Sequence, residues 1–514
     1  MQKISIIIIH WNSVDLLKKQ LECFKRGDHE IIVIDNNSID SLKKVTEKYK
    51  KVKFIFNEHN RGFAFACNQG VVASKHNLLL FLNPDVEINN EQIDQLIKYK
   101  NTNNLIAVSP QPKSQNYQKP VPTVLSLLVE FTKLKHLIPL SLFKYKTLTG
   151  GCLLINKKEL LKIGGWDERF FLWFEDSDLT KRLRINCFNY GFAPININHL
   201  GGVSLNKLTL RHQKDVFFTS MLNYAQKHFS FLGISVIKLL KSKYARNYLL
   251  PILNNGLSIT IPNLKKELLL DFLKINKKYL KMFDETVIVS SSLNISDFWN
   301  IKKDYQNIRL ILINKNEGFA QTVNTGLKTS TFNWTGTCND DVLFNSSIKE
   351  LIAQCKSNEQ KSVGSINPII KSETGKIESA GINILTKGKA EPIKTINSDS
   401  LITKVSASNA AFVIYKHKAL QEVGLFDEKF GSYLEDIDLS LRLSRKGYKN
   451  VVYSKTDVIH TKHASSRSLG RFKRYLDAKN WWLVILKNWP KRRIIQNIFP
   501  IFIERLRNIW GILK

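Results

Sequence analysis

Residues 60–70 read Asn60-Arg-Gly-Phe-Ala-Phe-Ala-Cys-Asn68-Gln-Gly70, and residues 316–326 read Asn316-Glu-Gly-Phe-Ala-Gln-Thr-Val-Asn324-Thr-Gly326. The two stretches lie 256 positions apart, and Asn83-Pro-Asp-Val86 and Asn339-Asp-Asp-Val342 keep that offset. Further on, Trp166-Asp-Glu-Arg-Phe170 answers to Phe426-Asp-Glu-Lys-Phe430, and Glu175-Asp-Ser-Asp-Leu179 to Glu435-Asp-Ile-Asp-Leu439, now 260 apart. Four residues of drift over such a length is loop variation. A period this long is duplication of a whole domain and not a solenoid repeat.

Working outward, the early part of each copy alternates strands and helices. Ile4 to Ile9, Ile31 to Ile34, Val52 to Phe56 and Leu78 to Leu82 are short apolar runs, and Val14 to Phe24 has helical spacing between the first two. This pattern predicts α/β domains of Rossmann-like type with mostly parallel sheets, whose ligands bind at the carboxyl ends of the strands. The expected division is a first domain over 1–210, a helical tail and linker over 211–256, a second domain over 257–465 and a basic, aromatic helical segment over 466–514.

The chain has 514 residues, 43% of them hydrophobic, which is ample for two packed cores and excludes a disordered chain. The 77 Lys and Arg against 44 Asp and Glu leave a net charge of +33, so an anionic partner is expected. Charge alone does not choose among nucleic acid, anionic lipid and phosphate-bearing substrates. The basic residues are dispersed and no nucleic-acid-binding motif is present, which argues against nucleic acid. Six scattered cysteines without a CxxC pair argue against a zinc ribbon or a disulfide framework and point to a reducing compartment. No apolar stretch reaches the roughly 20 residues of a spanning helix, and the first eleven residues read as a buried strand and not a signal peptide.

The strand ends of copy one carry His10-Trp11-Asn12, Asp35-Asn36-Asn37-Ser38 and Asn83-Pro84-Asp85. Such turns can hold a nucleotide diphosphate with a hard divalent ion, for which Asp85 is the candidate ligand; taken singly, each also fits ordinary turn chemistry. Glu175-Asp176-Ser-Asp178 opens a helix, where acids also serve as caps. The aromatic residues before it, Trp166 and Phe170 through Phe174, suggest a wall for a sugar ring, with Trp173 and Glu175 facing an acceptor. Asp176 is then the candidate general base. His199 and His460 end matching strands and are candidate metal ligands, although a lone histidine is often structural.

Together these residues resemble the inverting family-two glycosyltransferases of GT-A fold. The resemblance implies a base-contacting role for Asp35, a divalent cation (Mg2+ or Mn2+) at Asp85 and His199, and Asp176 as base. Candidate donor-binding positions in copy one are Asn12, Asp35, Asn37, Arg61, Gly62, Asn68 and Asn83. In copy two the corresponding set is Gly318, Asn324 and Asp340 for the donor, Asp341 and His460 for the metal, Glu435 for the acceptor and Asp436 as base. The Asn83-Pro84-Asp85 form is similar to that of rhamnosyltransferase-like members, which implies dTDP-rhamnose for copy one, with a UDP-sugar as the other candidate donor. Copy two departs from the family where Ser290-Ser291-Ser292 stands in place of Asp35-Asn36-Asn37.

The function implied is transfer of sugars from nucleotide diphosphates to a lipid-linked, growing bacterial surface glycan such as capsule or O-antigen. The protein would work in the cytoplasm, peripheral on the inner face of the membrane. The segment from Trp481 to Lys514, rich in Trp, Phe, Lys and Arg, is the candidate contact with anionic lipid, or else a helical hairpin packed on copy two. Two arrangements stay open: two distinct transfer sites, or one active domain with a degenerate copy that binds acceptor or serves as a scaffold.

Overall fold

The computed structural model describes residues 2–25, 27–111, 119–199, 208–245, 249–357, 362–396, 400–461 and 470–513. The chain forms two compact units, one of residues 1–251 with 295–306, the other of 252–294 with 307–514.

The first unit contains β1 (Ser5–His10), α1 (Val14–Cys23), β2 (Glu30–Asp35), α2 (Lys43–Lys48), β3 (Lys53–Phe56), α3 (Phe63–Ala73), β4 (Leu78–Leu82), β5 (Val86–Glu87), α4 (Asn90–Thr102) and β6 (Ala107–Pro110). After these come α5 (Val124–Phe131), β7 (Cys152–Asn156), α6 (Lys157–Lys162), α7 (Glu175–Ile185), β8 (Tyr190–Ala193), β9 (Asn198–His199), α8 (Leu210–His228) and α9 (Phe231–Tyr244). Seven strands form one sheet in the order β3-β2-β1-β4-β7-β6-β8. β7 runs antiparallel to both its neighbours, so the sheet is mixed, while the β3-β2-β1-β4 half is parallel throughout. β1 is buried along its whole length, Ser-Ile-Ile-Ile-Ile-His, as a central strand covered on both faces must be.

The second unit repeats this plan with β10 (Asn254–Asn263), α10 (Lys266–Leu280), β11 (Glu285–Ser290), β12 (Ile308–Leu312), α12 (Phe319–Leu327), β13 (Phe332–Cys338), β14 (Val342–Leu343), α13 (Ile348–Lys356) and β15 (Val363–Lys371). It continues with β16 (Ile377–Ser379), β17 (Ile382–Leu385), β18 (Lys389–Pro392), β19 (Ile402–Val405), β20 (Phe412–Lys416), α14 (His417–Val423), α15 (Glu435–Arg445), β21 (Lys449–His460), α16 (Gly470–Asn488), α17 (Lys491–Gln496) and α18 (Ile498–Leu513). The sheet order β12-β11-β10-β13-β20-β15-β21-β14 reproduces that of the first unit and extends it, and again one internal strand, β20, runs against its neighbours. Strands β16 to β19 have no counterpart among the described residues of the first unit.

The units divide near the expected positions. The second unit starts at Ile252, because β10 begins at Asn254 and not at Leu257. The tail over 211–251 is part of the first unit: α8 and α9 bury Met221, Tyr224 and Ile237 in one apolar cluster with Leu127, Phe170 and Phe174. The segment after 465 likewise belongs to the second unit, where Trp481, Ile485 and Trp489 pack with Phe430 and Ile437. Each tail packs on the core of its own copy, as a helical tail of copy one and a hairpin on copy two would. Helix α11 (Ile295–Asp304), which lies in sequence between β11 and β12, is counted with the first unit. There the Trp299 indole donates to the Leu161 carbonyl at 3.0 Å and Lys302 meets Glu168.

The quoted repeat is now readable as a docking motif. At Gly70 a Cβ would come within 2.3 Å of the Ile7 side chain, and at Gly326 within 2.3 Å of Thr260, so glycine lets α3 and α12 press on the central strand. Gly62 and Gly318 have φ of +84° and +82°, and a Cβ on Gly62 would sit 2.5 Å from the Phe171 carbonyl. Asn68 donates to the carbonyl of Trp166 at 2.8 Å and accepts from its N–H at 3.0 Å; Asn324 does the same with Phe426 at 2.9 and 3.1 Å.

Candidate functional site

Parallel register carries the polar turns of the first unit to one edge of the sheet: β1 ends at His10 opposite Asp35 at the end of β2. Asp35 is buried, 3.0 Å from His10 Nδ1 through Oδ1, and Ser38 Oγ donates to the same oxygen. Asn12 and Asn37 adopt left-handed backbone, φ +52° and +61°, which asparagine tolerates. Asn12 accepts from the Ile39 N–H, while Asn37 is exposed. Arg61 is buried, its guanidinium 5.2 Å from the centre of the Phe65 ring.

Asn83 and Asp85 follow β4 and are half-buried, the N–H of Asn83 donating to the Gly151 carbonyl. The short pair β5–β9 aligns Val86 with His199, which brings the chain at His199 beside the turn that holds Asp85; the His199 side chain lies outside the described residues. In the second unit β14 and β21 pair Val342 with His460 in the same way. Here His460 Nε2 lies 3.0 Å from Asp341 Oδ1, yet that buried oxygen receives no aligned hydrogen bond. An imidazole nitrogen beside a carboxylate oxygen is a donor pair that suits a divalent cation of nitrogen and oxygen preference. Among the described residues no group of three His, Cys, Asp or Glu surrounds such a position.

The matching strand ends of the second unit are rebuilt. Asn263 ends β10 opposite Ser290, accepts from both Ser290 and Ser292 at 2.7 Å and donates to Asp340 at 2.6 Å. A buried imidazole–carboxylate pair in one copy is therefore an amide–hydroxyl pair in the other, and the second copy's carboxylate stands on the fourth strand of the turn set instead of the second.

Glu175-Asp176 and Glu435-Asp436 open α7 and α15 directly after two consecutive left-handed residues: Trp173 and Phe174 (φ +66° and +68°) and Tyr433 and Leu434 (+71° and +67°). Bulky residues rarely adopt this conformation, and its recurrence in both copies marks a turn held for the placement of the acids that follow. Asp176 takes backbone hydrogen bonds from Ser177, at 2.6 Å, and Gly150; Asp436 takes them from Ala410 at 3.1 Å and Ile437 at 2.8 Å. Burial raises the pKa of both aspartates despite these bonds. Burial, with the neighbouring aspartate second, pushes Glu175 and Glu435 well above the usual carboxylate range. Each glutamate keeps a buried Oε2 without a hydrogen bond from any described residue.

The aromatic wall is smaller than expected. Trp166 and Phe170 are fully buried, the former edge-on against Phe63 and Phe81, because they anchor the loop to the core. Trp173 alone is half-exposed, its ring 5.6 Å from Phe217 on α8. Gly62, Asn68, Gly318 and Asn324, expected at the donor, hold loops and helices in the manner described above.

Sequence reading missed the support beneath the acids. Asp178 contacts Lys227 Nζ at 2.6 Å, His228 Nε2 at 2.7 Å and Arg182 Nε at 2.7 Å. Asp438 contacts Arg442 at 2.8 Å, Lys487 at 3.0 Å and the Asn488 amide at 2.8 Å. Although burial alone would raise it, the Arg182 and Lys227 cations and the His228 hydrogen bond hold Asp178 well below its ordinary pKa. The signal was available, since Lys227-His-Phe229 and Lys487-Asn-Trp489 keep the offset of 260.

Family models match stretches of both units. A model described as glycosyl transferase family 2 matches residues 5–162, one described as glycosyl transferase family group 2 matches 383–513, and one described as the N-terminal domain of galactosyltransferase matches 141–202. A curated relative, the low-salt glycan biosynthesis hexosyltransferase of Haloferax volcanii, is 27% identical over 154 residues, 28% of this chain and 50% of that protein. The chain thus spans about half the length of the curated relative it matches. Among solved structures, GalNAc-T7 with UDP, GalNAc and Mn2+ gives a TM-score of 0.37 at 14% identity over 47% of this chain and 49% of that one. The mannosyltransferase of Pyrobaculum calidifontis with GDP-Man and Mn2+ gives 0.32 at 13%, over 46% and 69%. With one family-2 match in each of two mixed-sheet α/β units, the chain is a tandem of two glycosyltransferase domains of family-2 type with GT-A-like folds.

Proposed function

We propose that the protein transfers sugars from nucleotide-diphosphate donors to a growing surface glycan, with inversion, and that both units are transfer sites of different donor specificity. The observation that carries this reading is the duplicated turn of two left-handed residues before Glu175-Asp176 and Glu435-Asp436, each aspartate held by two backbone N–H groups with its pKa raised by burial. A carboxylate made more basic in this way takes the proton of an acceptor hydroxyl as that oxygen attacks the anomeric carbon. A divalent cation, when bound, neutralises charge on the leaving diphosphate; Asp341 with His460, and Asp85 on the turn beside His199, are the residues that would hold it. Asp35 with Asn12 and Asn83 would receive the nucleotide of the first unit, for which dTDP-rhamnose is the donor to try first. In the second unit Asn263 and Asp340 take that part, so a different nucleotide is expected.

The lipid-linked acceptor and membrane attachment rest on α18. Its outward residues Ile498, Phe499, Phe502, Leu506, Ile509 and Trp510 are 47–78% exposed at helical spacing, next to exposed Lys491, Arg492 and Arg507. The described residues contain no helix long and apolar enough to cross a membrane.

The alternative of one live copy and a helper draws on the loss of an acid at Ser290. It is weakened by the intact acids and strained turn of the second unit. A screen of nucleotide sugars against the full chain, Asp176→Asn and Asp436→Asn decides between them. Loss of one product with each variant supports two sites, and no change with Asp436→Asn leaves a single active copy.

A further inference from the structure

The first unit carries an exposed surface that neither its core nor its transfer chemistry uses. Between α5 and β7 the chain makes two single 3-10 turns, Lys133–His136 and Leu140–Leu142, with Leu134, Leu137 and Leu142 exposed by 36%, 78% and 71%. Beside them α9 turns Phe231, Leu232 and Leu239 outward, 68–81% exposed. The two segments are joined, since Tyr244 donates to the Phe131 carbonyl at 2.6 Å and stacks on Phe218 at 5.0 Å. They border an open cleft of about 890 Å³ whose rim includes Lys133, Lys135, His136 and Lys243. Residues 131–148 and 229–249 contain no Asp or Glu, and Glu130 at the rim is paired with Lys119 at 3.5 Å.

Large apolar side chains on turn tips and along one helix, among lysines and with no acid but the paired Glu130, do not fit a flat protein interface, which depletes lysine at its centre. A single-stranded nucleic acid would call for exposed aromatic platforms, and here leucines predominate. The combination fits the headgroup layer of an anionic bilayer, where leucine and phenylalanine enter the interface and lysine stays with the phosphates. We propose that this face of the first unit is a second, independent membrane contact that docks on anionic lipid headgroups. It does not depend on α18 or on the identity of the sugar donor.

The test uses the full chain with α18 silenced by Phe499→Ser, Phe502→Ser and Trp510→Ser. This parent is sedimented with vesicles of phosphatidylcholine alone or mixed with phosphatidylglycerol. It is expected to bind the mixed vesicles and not the neutral ones, and to be released by salt. Adding Lys133→Gln, Lys135→Gln and Lys243→Gln should lower partition on the order of 100-fold, at about fivefold per lysine near the surface. Adding Leu137→Ser and Leu142→Ser instead should lower it about tenfold or more. All five side chains are exposed, so melting midpoints should equal the parent's, and donor binding without vesicles should be kept. Loss of that donor binding would count against the transferase reading and not against docking. A silenced parent that fails to sediment, equal binding to neutral vesicles, or unchanged partition in both sets of variants overturns the proposal.

Discussion

Lys302 Nζ lies 2.9 Å from Glu168 Oε1 in the first unit, with the two side chains 1% and 0% exposed. The ammonium also sits 4.1 Å from the centre of the Phe65 ring, and Glu168 accepts from Asn68 at 2.9 Å. In the second unit the matching Glu428 has Lys328 at 3.6 Å, whereas the first copy has Val72 at the position of that lysine. The first copy's cation therefore comes from α11, which lies 230 residues or so downstream of α3 in the chain. Removing one member of a buried pair leaves the other charged and desolvated. Lys302→Met should destabilise the first unit by about 3–5 kcal/mol, and Lys302→Met with Glu168→Gln should recover most of it. Denaturant melts of the single and double variants check this.

Asn68 and Asn324 make a sharper distinction. A donor-binding asparagine, once removed, raises the KM for the sugar nucleotide and leaves stability alone. Both amides are instead buried and bonded to the loop that leads to the helix opening with the paired acids. Asn68→Ala should therefore cost about 1–3 kcal/mol in folding stability for the polar groups left behind. Thermal melting against donor titration separates the two roles.

The same pair explains what could be read in advance. The motif around Asn68 revealed the duplication because it is a packing motif: Gly70 against Ile7, Gly62 against Phe171 and Asn68 across to Trp166 each tolerate little change. The first strands and their parallel pairing followed from apolar runs separated by helical spacing, and Asp341 and His460 were expected to share a role and do meet. Legibility failed where burial depends on a partner far along the chain. Helical spacing shows that α11 and α16 each hide a face, and not what covers it; Trp481 and Trp489 thus left a lipid contact and a hairpin packed on copy two both open, and they are core. Strands β16 to β19 are short, irregular in alternation and partly exposed, so they carry little periodic signal.

The metal site proposed for the second unit turns on the 3.0 Å approach of His460 to Asp341. The Glu378 carboxylate stands 3.8 Å from His460 Nδ1, on the far side of the ring, where it would fix the tautomer that leaves Nε2 free. In an Asp85→Ala background, which reports the second unit, Asp341→Ala should abolish Mn2+ binding. Glu378→Gln should weaken it by about 10- to 100-fold, the range for partners that orient a ligand. Isothermal titration with Mn2+ reads both, and an unchanged isotherm for Asp341→Ala removes that residue from the metal site.

Asp176 and Asp436 give the last prediction, and its sign follows from their surroundings. Burial raises each pKa, while the N–H groups of Ser177 and Gly150, or Ala410 and Ile437, limit the rise. The base form is complete only above the raised value and is lost as pH falls through it. The acid limb of kcat against pH should therefore lie above the ordinary aspartate range for each product. Asp176→Asn should lower formation of the first unit's product by about 10²- to 10⁴-fold, remove that limb, and leave the donor Kd near that of the parent. Ser177→Pro, which deletes one donating N–H, should move the limb further up, because the carboxylate loses a bond that favours its charged form. A limb that stays in place in Ser177→Pro, with the helix intact by circular dichroism, would assign the titration to another group; the coupled Glu175 is the first to test, through Glu175→Gln.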